Sequence, residues 1–254
     1  MNNKVISKVL KLSLLSTLVV SAASHSALIN RGNGLIYDDV LNITWMQDAG
    51  YIQTSGFDAD GLVNYNSAAN WVDNLVFSGY DDWRLPTISP GDGVSFNVAF
   101  SFDGSTDRGF NNDGTNNEMG YMFANNLNNT SFFNSFGVGS QSGPGDFSSS
   151  FFDGETGELF SFTNVGLSYW MDPANNPINN AAWGFNLRNF TDTPTGESQL
   201  LGLPSGLGVW AVRDGDVVQV NDPDPNQDIP EPGTFALFGF GLARLLSARR
   251  QMLG

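Results

Sequence analysis

Two stretches of this chain, 89–116 and 128–157, consist largely of Gly, Asn, Ser, Asp and Phe and carry no sustained hydrophobic period. They constrain the fold more than any other feature, because such sequence does not build regular elements on its own. The phenylalanines within them need a surface to lie against, so the stretches read as long surface loops inserted in a compact core. That core has to come from the flanking segments, which hold all six tryptophans, at 45, 71, 83, 170, 183 and 210. Residues 28–220 are enough for one domain with a substantial interior.

The flanks supply recognisable elements. Gly34 to Trp45 reads as a short strand, an Asp-rich turn and a second strand. Residues 66–77 form the clearest helix, with Ala68, Trp71, Val72, Leu75 and Val76 on one stripe, Asn66 or Ser67 as cap and Gly79 as stop. A second, weaker helix spans 117–127, with Met119, Met122, Phe123 and Leu127 on one side. Short strands are expected at 168–171, 182–187 and 208–213.

Charge narrows the chemistry. Lys4, Lys8, Lys11 and the single histidine, His25, precede residue 28, and Arg244, Arg249 and Arg250 lie near the other end. Between Leu28 and Asp228 only Arg31, Arg84, Arg108, Arg188 and Arg213 face 25 of the 26 carboxylates, a formal charge of −20. With neither imidazole nor thiol in the body, Ser-His-Asp and Cys-His catalysis are excluded. Zinc, copper and non-haem iron sites lack their usual ligands. Schiff-base and P-loop chemistry lack a lysine. An acidic surface of this kind repels nucleic acid. Zero cysteines give no disulfide framework. Carboxylate chemistry, oxygen-ligand cations and binding without catalysis remain.

Both ends read as addresses. Residues 1–27 have a basic start, an apolar run from Leu12 to Val20 and small residues up to Ser26-Ala27, the pattern of a secretory signal cleaved after Ala27, or alternatively after Ala23. The apolar run is too short for a membrane span, which takes about 20 residues. Residues 221–229 are acidic and Pro-rich, the composition of an extended linker. Residues 230–254 carry Pro230-Glu231-Pro232, a short hydrophobic helix from Thr234 to Ala243, and Arg249-Arg250. This arrangement resembles the PEP-CTERM sorting tail of Gram-negative bacteria. The resemblance implies an exosortase-type membrane peptidase as partner and delivery to the cell surface, outer envelope or an exopolysaccharide matrix. Contact with the membrane is then confined to the C-terminal sorting helix. Arg244 interrupts its apolar run, at about 2.5–3.5 kcal/mol on insertion scales, which suits a transient signal better than a permanent anchor.

Gly34 to Trp45, Thr54 to Gly61, Gly79-Tyr-Asp-Asp-Trp-Arg-Leu-Pro-Thr87, Asn117-Glu-Met-Gly120, Tyr169-Trp170, Ala182-Trp183 and Trp210-Ala-Val-Arg213 follow one another in a characteristic order. In this the body, 28–220, resembles the Lcl C-terminal domain family, a domain of unassigned function. That family looks similar to the C-type-lectin-like fold, which implies an α+β domain with two helices, a small twisted antiparallel sheet and long loops.

Several residues stand out as candidates. Trp45, Trp83, Arg84, Pro86, Trp210 and Arg213 read as structural, with the two arginines each satisfying a carboxylate. Asp58 and Asp60, Asp103 and Asp107, and Asp113 offer closely spaced oxygens for calcium, although none fits an EF-hand and Asx turns explain the same pattern. The Glu-Pro-Asn, Gln-Pro-Asp and Trp-Asn-Asp triplets of calcium-dependent lectins do not occur between 28 and 220. Trp170 and Trp183 are candidates for stacking on sugars. No pair of carboxylates is singled out for glycoside hydrolysis. The expectation is therefore an exported, non-catalytic binding or adhesion module, with extracellular polysaccharide as a candidate partner. The alternatives are a matrix component without a discrete ligand, or a carboxylate hydrolase.

Overall fold

The Asp-rich turn after Tyr37 closes a meander. Asp38 accepts from the amides of Val40 and Leu41 at 3.1 and 3.0 Å, and Asn42 takes a left-handed φ of 52°. This lets β2 (Leu35–Asp38) fold back on β3 (Ile43–Met46), with Ile36 opposite Trp45. β1 (Leu28–Gly32) pairs with β2, and β12 (Val212–Asp214) pairs with β3, giving a four-stranded sheet in the order β1-β2-β3-β12. The computed structural model describes residues 28–173 and 181–217. The signal segment, the linker and the sorting tail lie outside the described residues. The chain divides into two units, Met1–Asp216 and Val217–Gly254, and the elements described belong to the first.

A six-stranded sheet has the order β4-β9-β10-β11-β6-β5. Its strands are β4 (Thr87–Ile88), β5 (Phe100–Ser101), β6 (Arg108–Phe110), β9 (Ser168–Pro173), β10 (Ala181–Arg188) and β11 (Pro194–Gly202). β7 (Ser150–Phe152) and β8 (Leu159–Ser161) form a separate hairpin. Central strand β10 is buried over most of its length on both faces. Arg84 and Val212 exchange backbone hydrogen bonds of 2.7 and 2.9 Å, which fixes the Trp-Arg-Leu-Pro segment to the four-stranded sheet. Trp210 packs edge-on to Trp45 at 5.1 Å and to Phe162 at 4.8 Å, and its indole N–H donates to the Met46 carbonyl at 2.8 Å.

The helices are shorter than the sequence predicts. α1 is a single turn at Tyr51–Thr54, and α2 runs Tyr65–Asp73 rather than 66–77. Its cap is Asn64, not Asn66 or Ser67, through a 3.0 Å bond from the Ser67 amide. It ends before Gly79 because Asn74 and Leu75 turn their amides back to Trp71 and Val72 in a tightened last turn. The expected helix at 117–127 splits into α3 (Glu118–Tyr121) and a π-helix (Met122–Asn126), closed by a 3.0 Å bond from the Leu127 amide to the Met122 carbonyl. The described chain is mostly β, so an α+β fold with a small sheet describes it only roughly. The two long stretches are also not wholly irregular. β5 and β6 lie within 89–116 and β7 within 128–157, and their phenylalanines pack as expected, Phe102 on Phe110 at 5.8 Å and Phe110 on Phe133 at 4.9 Å.

Candidate functional site

The six residues read as structural occupy the interior or its edge. Trp45 and Trp210 are fully buried, Trp83 nearly so, and the Pro86 carbonyl accepts from the Asp172 amide at 2.8 Å. Arg84 grips Glu118 through two parallel bonds of 2.9 Å, adds Asp214 at 2.6 Å, and Glu118 also accepts from the Thr87 amide at 2.7 Å. Arg213 grips Asp82 at 2.7 and 2.8 Å. The Asp82 carboxyl is held below its ordinary value chiefly by that hydrogen-bonded guanidinium, and Arg213 is raised in turn.

Trp170 and Trp183 are both 0 % exposed, so neither offers a face for a sugar. They sit on β9 and β10, which are covered on both sides. Trp170 donates to the Val63 carbonyl at 2.7 Å, and Phe96 lies 5.2 Å from the Trp183 ring.

Four of the five calcium candidates are engaged locally, and the fifth, Asp113, lines a polar cleft. Asp58 accepts from the amides of Asp60 and Gly61, Asp60 from that of Leu62, and Asp103 from Ser105. Asp107 is 4 % exposed and takes the amides of Gly91 and Asn97 at 2.8 and 2.7 Å. Among the described residues, no three His, Cys, Asp or Glu side chains stand close enough to share an ion. Asx turns and loop closure account for the four engaged carboxylates.

The structure reveals a polar cleft of two adjoining lobes that the sequence reading did not single out. Asn111, Asn112 and Asp113 line both. Asn111 has a left-handed φ of 58°, and its amide donates to the carbonyls of Phe102 at 2.6 Å and Phe133 at 3.0 Å, tying the two long stretches together. Buried Asn117 caps α3 through the Gly120 amide and donates to the Asn112 carbonyl and the Ser198 hydroxyl, both at 2.9 Å. One lobe, about 260 Å³, lies between this wall, the π-helix and residues 129–131, with Phe123 and Phe185 contributing apolar lining. The other, about 420 Å³, is lined by Asp92, Asn97, Ser105, Asp107 and Asn116. Its Asp92 carboxyl is held low by the amides of Ser95 and Val94. Burial pushes the Asp38 carboxyl upward, and Asp38 lines neither lobe.

Residues 228–251 match a family described as the PEP-CTERM protein-sorting motif. No curated protein and no solved structure matches the chain. The motif indicates an exported protein of Gram-negative type, sorted to the cell surface and processed by an exosortase membrane peptidase. Pro230, Glu231, Pro232, Arg249 and Arg250 all fall within the match and outside the described residues.

Proposed function

We propose that this protein is a surface- or exopolysaccharide-associated binding or adhesion module that acts without catalysis. The observation that carries this reading is the pairing of a sorting motif at 228–251 with a body whose polar cleft is walled by amides, hydroxyls and three carboxylates, two of which, Asp92 and Asp107, are held by backbone amides. A two-carboxylate hydrolase needs one acid with a raised pKa beside the scissile bond. Asp38, which burial pushes upward, is fully buried, hydrogen-bonded to Val40, Leu41 and Asn126, and outside the cleft. In the same reading the body is a C-type-lectin-like domain related to the Lcl C-terminal family. Its support is the order of the Trp83-Arg-Leu-Pro-Thr87 and Trp210-Ala-Val-Arg213 motifs. Fractionation of the producing cells tests the delivery half. Wild-type protein should reach the surface or matrix fraction in processed form. The Pro230→Ala/Pro232→Ala variant should remain unprocessed in the envelope, and normal maturation of that variant would contradict the reading.

A further inference from the structure

The geometry points to the two-lobed cleft as a binding site for a neutral oligosaccharide, with Ser131, Asn125 and Gln141 holding one sugar unit in the smaller lobe. This deepens the reading of the chain as a binding module and rests on it.

Ser131 is 7 % exposed and lines the smaller lobe, yet its hydroxyl has no partner among the described residues. The hydroxyl is not an orphaned buried group: it opens onto the lobe, where it can donate to or accept from a ligand. Gly196 leaves room beside it. A Cβ at that position, where φ is +70°, would stand 2.5 Å from Ser131 Oγ and 2.6 Å from Phe123 Cε1.

The neighbouring amides are oriented by bonds that leave their oxygens available. Asn125 uses Nδ2 on the Asp113 carbonyl at 2.9 Å, and Gln141 uses Nε2 on the Ser131 carbonyl at 3.2 Å. Asn112 uses Nδ2 on the Asp107 carbonyl at 3.1 Å. The lobe therefore presents fixed acceptors beside a hydroxyl able to donate or accept, a set that suits a ligand rich in O–H groups.

Charge selects among such ligands. No Lys, Arg or His lines either lobe, whereas Asp92, Asp107 and Asp113 line the larger one. Uronates, sulfated sugars and phosphates meet repulsion there, and a neutral saccharide does not. Volumes of about 260 and 420 Å³ give each lobe room for a sugar unit, near the lower end of the roughly 300–1,000 Å³ common for ligand pockets. The π-helix that presents Phe123, Ala124 and Asn125 is an element that recurs at functional sites.

The test titrates the exported protein with neutral gluco-, manno- and galacto-tetrasaccharides, using a uronate tetrasaccharide as the charged control. At least one neutral ligand should bind, the uronate should bind more weakly, and Ser131→Ala and Asn125→Ala should each weaken binding about fivefold. Ser131→Ala should leave the melting temperature unchanged or raise it, because the hydroxyl has no partner to lose. Absence of binding by all three neutral ligands, tighter binding of the uronate, or full affinity in both variants overturns the proposal. Retention of both variants by the producer's own matrix, alongside any of those results, would remove this cleft while leaving the binding-module reading intact.

Discussion

Arg84 holds three segments at once: its own Trp-Arg-Leu-Pro run, Glu118 at the start of α3, and Asp214 at the end of β12. Glu118 is 8 % exposed, so removing it leaves a partly buried guanidinium without its bidentate partner. Breaking such a pair from one side costs far more than the pair itself contributes. Glu118→Ala should therefore lose about 3 kcal/mol of stability in urea denaturation at neutral pH. A loss below about 1 kcal/mol would mean that the pair behaves as an exposed one. That the arginines serve acids was legible in the sequence, because a body with five arginines leaves each surrounded by carboxylates. The fate of Trp170 and Trp183 was not. A short aromatic strand gives no sign of whether one face or both are covered, and here both are.

α3 and the π-helix position the wall and one side of the cleft. Gly120 is the point of closest approach, since a Cβ there would lie 2.1 Å from the Asn112 carbonyl oxygen. Helix propensity alone favours Gly120→Ala by about 1 kcal/mol. Overpacking against a backbone atom works in the opposite direction, by about 1–3 kcal/mol, and should win. A lower melting temperature for Gly120→Ala is expected, and a stabilised variant would show that the 111–113 wall yields freely. The helical character of 117–127 was readable from Met119, Met122, Phe123 and Leu127, but that spacing fits an α-helix and a π-helix alike. β11 was not readable. Pro194, Gly196 and Glu197 argue against a strand, and the segment becomes one by pairing with β10 and β6.

At the scale of the molecule, the two long irregular stretches turn out to shape the cleft: both contribute to the smaller lobe, and 91–116 lines the larger. Sequence composition marked them as loops, and the phenylalanine packing brings them together. The cleft itself had no sequence signature, because carboxamides and hydroxyls far apart in the chain converge only through tertiary contacts such as those of Asn111 and Asn117. The sorting motif marks an exported protein, and the acidic body is compatible with the proposed binding of neutral polymer outside the cell. The most direct measurement is co-sedimentation of the protein with the producer's extracellular polysaccharide, with reducing ends assayed in the same tubes. A non-catalytic binding module pellets with the polymer while the reducing-end count stays flat. Protein left in the supernatant, or reducing ends that rise with time, would contradict that reading.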